Sequence, residues 1–92
     1  MKYNVEFKGT SNRGEYNMTG TVDIYNSKCF KYGNGKSLTI NCKDNSNGYN
    51  INESYDIRYD RSYSEKNEVV YITKFIKNNY QNISSLSVQP IE

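Results

Sequence analysis

The chain has 92 residues, with 12 Lys and Arg against 10 Asp and Glu and a net charge of +2. That length predicts one small domain, residues 1–92, with a modest core. The charge excludes a nucleic-acid binder working by net charge alone and, equally, a heavily acidic mimic of DNA.

Leu, Ile, Val and Phe together number only 18, and ten tyrosines make up the shortfall. Each tyrosine is a large apolar ring with a polar tip, able to close a thin core while its hydroxyl reaches water. No apolar run approaches the roughly 20 residues of a membrane span. The alternating pattern begins directly after Met1-Lys2, so no signal peptide and no membrane partner are expected, and a cytoplasmic location with reduced thiols is.

Tyr3, Val5 and Phe7 alternate with Lys2, Asn4, Glu6 and Lys8, the pattern of a half-buried strand. Residues 9–14 (GTSNRG) read as a turn. Tyr16, Met18, Gly20, Val22 and Ile24 then alternate with polar residues in a long second strand, and Gly20 on its inward side predicts a bulge or a close crossing. Residues 28–32 (KCFKY) read as a short third segment and residues 33–36 (GNGK) as a hairpin turn. Leu38, Ile40 and Cys42 alternate next, and residues 44–48 (DNSNG) turn the chain again.

From Tyr49 to Tyr59 a period of two places Tyr49, Ile51, Tyr55, Ile57 and Tyr59 on the core side, with Asp56, Arg58 and Asp60 facing outwards. A helix over about 64–80 follows. Ser62 or Ser64 is its expected cap, Ser62 and Glu65 fit a capping box, and Val69, Ile72, Phe75, Ile76 and Tyr80 share its apolar face. Leu86 and Val88 open a last alternating run that Pro90 marks as an edge or a fraying end. The predicted fold is α+β, an antiparallel sheet of about five to six strands with one helix on one face and the other face wet.

Chemistry is scarce. Histidine is absent, which removes the commonest general base, the commonest metal ligand and every Ser-His or Cys-His arrangement. Two cysteines without a Cys-x-x-Cys spacing do not make a zinc site. Cys42 fits a small core residue, and a Cys29–Cys42 disulfide is sterically conceivable. Asp56 and Asp60 alternate with arginine as a solvated row, and Glu65 and Glu68 suit a helix start. Gly35-Lys36-Ser37 matches only the end of a phosphate loop, because position 30 is Phe30. No catalytic residue, metal or cofactor is expected.

Two clusters remain as candidate binding residues. Tyr25, Phe30 and Tyr32 with Lys28, Lys31 and Lys36 form an aromatic-basic group of the kind that grips single strands or protein surfaces. Arg58, Arg61 and Tyr63 supply the planar, long-reaching contacts of interface hot spots.

Asparagine occurs 14 times, lysine nine and isoleucine eight, with no alanine, as in proteins of AT-rich genomes. With its short single domain, its lack of a catalytic histidine and its sheet with one helix, the chain resembles the small inhibitor proteins encoded by phages and mobile elements, of the anti-CRISPR type. The resemblance carries no individual residues. It implies a non-enzymatic inhibitor that binds a host protein or ribonucleoprotein nuclease complex and blocks target recognition or a conformational step. A small nucleic-acid-binding accessory or regulatory domain is the second reading and a structural phage protein the third. Monomer and homodimer both stay open.

Overall fold

The computed structural model describes the backbone of residues 1–29 and 33–91 and the side chains of residues 1–28 and 35–91. Among these, five strands form one antiparallel sheet: β1 (Lys2–Ser11), β2 (Gly14–Cys29), β3 (Gly33–Asp44), β4 (Asn50–Asp56) and β5 (Ile83–Pro90). A single 3-10 turn (Glu65–Asn67) leads into the helix α1 (Glu68–Asn79), between β4 and β5. The order across the sheet is β4-β3-β2-β1-β5. The α+β reading holds, with the helix across one face.

Alternation decides which side is which. Tyr3, Val5 and Phe7 of β1, Met18, Val22 and Ile24 of β2, and Leu38, Ile40 and Cys42 of β3 are buried beneath Tyr71, Ile72 and Ile76 of α1. Tyr55 meets Phe75 edge-on at 5.0 Å, and Phe7 meets Tyr80 at 5.0 Å, so aromatic rings fill the margins of the layer. The opposite face is open and polar. Hydroxyls bridge its strands there, from Tyr25 to Thr39 (3.2 Å) and from Thr39 to Ser54 (2.8 Å).

Gly20 answers to a close approach. A Cβ on it would lie 2.1 Å from the Asn41 carbonyl oxygen and 2.6 Å from the Cys42 Cα. The ladders on both sides run through it without a shift, so no bulge sits there. The irregularity falls instead between Lys8 and Gly9, in the pairing of β1 with β5. Pro90 ends β5, which is an edge strand as expected.

Several local expectations are corrected. Lys28 and Cys29 do not begin a separate third segment, and residues 30–32 lie outside the described residues. β2 runs on to Cys29, and residues 33–36 are the start of β3, paired with residues 26–29, rather than the turn. Tyr59 does not face the core: β4 ends at Asp56, Ile57 is the last buried residue of the run, and Tyr59 is 80% exposed in the turn beyond. Tyr49 is likewise exposed. In the helix, Tyr71 is buried beside Ile72 and Ile76, and Val69, expected on that face, is exposed at its edge, because the covered face is centred towards Glu68 and Tyr71. The capping box does not form. Ser64 precedes the 3-10 turn without a side-chain cap, and the Ser62 hydroxyl donates to Asp60 instead.

Cys42 is a buried free thiol, its pKa pushed up to about 11 by that burial. Cys29 pairs in register with Gly33, nine positions along β3 from Cys42 on Gly20. At roughly 3.3 Å per residue that separation is near 30 Å, far beyond the reach of a disulfide.

Candidate functional site: the root of a projecting ribbon

β2 and β3 outrun their neighbours. The outer pairing of β2 stops where Lys2 meets Asp23 and the Ile24 N–H donates to the Met1 carbonyl. The outer pairing of β3 stops where Asp56 meets Ser37 and the Ile57 N–H donates to the Lys36 carbonyl at 2.9 Å. Beyond that line residues 26–29 take residues 33–36 as their strand partners among the described residues, a two-stranded ribbon roughly 10 Å long.

The segment 57–65 folds against the ribbon's root, held by carboxylates. Asp60 takes the Ser62 N–H (3.0 Å) and hydroxyl (2.6 Å) on one oxygen and the Tyr71 hydroxyl (2.7 Å) on the other. Those bonds, the Ser62 hydroxyl first, hold the Asp60 carboxyl below the usual carboxylate range. Glu68 takes the Tyr3 hydroxyl at 2.7 Å and the Tyr63 hydroxyl at 2.6 Å, tying the helix start to β1 and to the segment before it. Burial first, then Glu68, pushes the Tyr3 phenol up to about 12 and raises Tyr63 as well. The Tyr63 ring stands edge-on to Tyr71 at 5.3 Å.

Four of the expected binding residues, two from each cluster, meet here. Lys28, Lys36, Arg58 and Tyr63 line one hollow of about 640 Å³, with Gly35 and Ile57 among its other walls. Arg58 does not face freely outwards as expected. Its side chain is only 12% exposed, and its guanidinium is bound to Asp56 (Nη2 to Oδ2, 2.9 Å). Gly35 leaves it room, since a Cβ there would stand 3.1 Å from the guanidinium carbon. Asp56 in turn is held below the ordinary carboxylate range by Arg58. Lys36 reaches Glu65 at 3.2 Å and lies 5.6 Å from the centre of the Tyr63 ring. Tyr63 is thus a wall of the hollow and not a projecting contact.

The remaining candidates are placed differently. Tyr25 sits at the ribbon root on the open face, bonded to Thr39. Arg61 is exposed in the turn and does not line the hollow. Phe30, Lys31 and Tyr32 lie outside the described residues. Sequence reasoning missed Gly35, Asp60, Glu65 and Glu68 as parts of this site. Asp60 carried a local signal, because Asp two residues before Ser suits an Asx-turn. Glu68 carried none, since its bond to Tyr3 spans 65 positions.

Exposed apolar side chains gather at the same end. Chain termini apart, the large ones among the described residues are Tyr25, Tyr49, Tyr59, Val69 and Val70. All but Tyr49 belong to the ribbon root, the turn after β4 or the first turn of α1. Among the described residues no group of three or more His, Cys, Asp or Glu is placed to hold a metal ion, and no helix is long and apolar enough to cross a membrane. Neither the protein-family models, the curated proteins nor the solved structures contain a match to this chain.

Proposed function

We propose that the chain is a non-catalytic binding protein, an inhibitor of a bacterial immune nuclease complex, that meets its partner with the ribbon end. The observation that carries the binding reading is the polarity of the molecule. Tyr25, Tyr59, Val69 and Val70 are exposed at the same end of the sheet as a hollow lined by Lys28, Lys36 and Arg58, with Tyr25 on the open face. Aromatic residues and Arg are enriched at protein interfaces, and a rigid platform loses little entropy on docking. The nuclease complex as target rests on the resemblance in size and composition, and blocking of target recognition or of a conformational step is the corresponding mode of action, in the cytoplasm of a bacterial host.

A protein surface is favoured over nucleic acid as the direct contact because Arg58 and Lys36 already bind carboxylates, Asp56 and Glu65. A phosphate backbone would have to compete with both. The lysines beside Tyr63 are what favours the nucleic-acid reading, and its mark would be an affinity falling steeply with salt.

The test uses the paired substitutions Tyr59→Ala and Val70→Ser, on exposed side chains outside the core, the Tyr59 ring meeting the Arg58 guanidinium at 5.5 Å. Binding to an immune nuclease complex, or inhibition of its cleavage, should fall at least about tenfold, as at an interface hot spot, while the thermal midpoint stays put. Undiminished inhibition by this folded variant would remove the ribbon end as the interface. Absence of inhibition by the unaltered chain across representative nuclease types would remove the target class.

A further inference from the structure

We infer that Lys28 and Lys36 form a clamp for a carboxylate side chain of a protein partner, and that Glu65 holds the place of that carboxylate in the unbound chain. The inference rests on the reading that this end meets a protein, and it names the chemistry of the contact.

Register sets the clamp. Lys36 pairs with Asn26 and Lys28 with Asn34, so the two lysines stand on the same face of the ribbon as diagonal neighbours. Diagonal positions on adjacent strands lie roughly 7–8 Å apart, a gap that two long flexible ammonium arms close onto the two oxygens of one carboxylate. Both side chains line the hollow at the ribbon root.

The three cations of the hollow differ in how firmly they are engaged. Arg58 is fixed, bonded through Nε and Nη2 to Asp56 and laid over Gly35. Lys36 is steadied by the Tyr63 ring, and its side chain is 21% exposed. Its carboxylate partner Glu65 is 76% exposed and belongs to a three-residue 3-10 turn. An exposed ion pair of that kind is weak and exchanges readily. Lys28 is exposed and makes no ion pair with any described residue. The hollow therefore already accepts a carboxylate on Lys36, with a second ammonium beside it on the same face. An incoming Asp or Glu side chain would take over Lys36 from Glu65 and gain Lys28 as well.

Charge complementarity favours a single carboxylate over a chain of phosphates. Asp56 and Glu65 adjoin the cations, with Asp60 and Glu68 packed behind Tyr63 and Tyr71. One acidic side chain displaces only Glu65, whereas successive phosphates would run against the others.

The probes are a hexaglutamate peptide and a six-nucleotide oligothymidine, each titrated into the full chain at low salt and followed by backbone amide NMR. The peptide should shift the signals of residues 26–28, 35–36 and 63–65. Its affinity should drop about fivefold or more in Lys28→Gln/Lys36→Gln and rise a few-fold in Glu65→Gln, as expected for removing or freeing an ion pair of this strength. Tighter binding by Glu65→Gln is the outcome that a merely supporting Glu65 would not produce. Shifts elsewhere, no binding, or unchanged or weaker binding by Glu65→Gln would overturn the clamp. So would binding of the oligothymidine alone at these residues, which would assign the hollow to nucleic acid. If Lys28→Gln/Lys36→Gln leaves nuclease inhibition intact while Tyr59→Ala/Val70→Ser abolishes it, the clamp fails and the ribbon-end interface stands.

Discussion

The two ends of the sheet are closed by different means. At one end the chain reverses in tight turns, at Asn12-Arg13 between β1 and β2 and over residues 45–48 between β3 and β4. Asp44 organises the second of these, accepting the Asn17 and Ser46 N–H groups at 3.1 and 2.9 Å and the Asn47 amide at 2.9 Å, and Gly48 supplies the positive φ of 70°. The bonds inside these two turns are local or one strand away, and the Tyr16 hydroxyl adds a long-range tie there by donating to the Gln81 carbonyl. At the other end closure depends on Glu68, which joins Tyr63 to Tyr3, the latter 65 positions away from it, and on Asp60, which holds Tyr71, while apolar side chains are left exposed. The turn end is built to reverse the chain. The ribbon end carries exposed side chains that add nothing to the core, Tyr25, Tyr59, Val69 and Val70.

Both ends share one core, and the largest expected effect removes both. Ile76 is fully buried in the middle of the helix–sheet layer, and Lys77 is exposed one position on. Ile76→Asp should cost about 3 kcal/mol or more, because it buries an unpaired charge. Lys77→Asp should stay within about 0.5 kcal/mol. Chemical denaturation measures both. Hydrogen exchange in Ile76→Asp should rise at the turn end and the ribbon end together. A variant that loosened one end alone would mean that the ends are separate cooperative units.

The next pair of substitutions separates them. Glu68→Ala strips an ionised acceptor from two phenols and should cost about 2–3 kcal/mol, hydrogen bonds to charged groups being the stronger kind. Its exchange rates should rise around residues 60–68 and leave residues 45–48 alone. Asp44→Ala should cost about 1–2 kcal/mol with the opposite map, faster exchange at residues 45–48 and none at the helix start. Equal maps for the two variants would abolish the distinction between an end whose turns are organised by Asp44 and one organised by Glu68.

That distinction also explains what the sequence disclosed. Alternation identified β1, β2 and β3 and the inward set from Tyr3 to Cys42, because a period of two needs only neighbours along one strand. It failed at Tyr59, where the pattern of tyrosines continues although the chain already turns over residues 57–60, the Asp60 N–H donating to the Ile57 carbonyl, and periodicity is blind to where pairing stops. It misjudged the ribbon for a related reason. Lys36 and Asn26 are partners because β2 runs to Cys29, and the glycines of residues 33–36 imitated a turn. Val69 was placed on the apolar face by its spacing to Ile72 and Ile76, whereas the covered face is centred towards Glu68 and Tyr71 and leaves Val69 exposed at its edge. The binding residues were legible as types, a basic-aromatic group and an Arg-Tyr group. Their meeting in one hollow was not, since it depends on how far β2 and β3 outrun β1 and β4.

Acid gives the smallest effect and reads both ends at once. Burial pushes the Asp44 carboxyl up, but the Asn47 amide and the N–H groups of Asn17, Ser46 and Asn47 outweigh it and hold the pKa below the ordinary carboxylate value. Asp60 is lowered by the Ser62 hydroxyl, the Tyr71 hydroxyl and the Ser62 N–H. A carboxyl depressed in the folded state binds its proton more readily in the unfolded chain. Its contribution is therefore complete above the unfolded value of about 4 and is lost as pH falls from there through the folded value. Stability should be flat from pH 7 to about 5 on account of these groups and decline below about 4. Asp44→Asn should remove the acid response of amide exchange at residues 45–48, and Asp60→Asn that at residues 60–63, each leaving the other end's response in place. The phenols carry the opposite sign. Tyr3, raised in the folded state, favours folding below its ordinary value near 10, and that contribution disappears as pH climbs towards 12. A stability that rose on acidification below pH 4 would mean that neither aspartate is ionised in its turn, and the closure of both ends would need a different explanation.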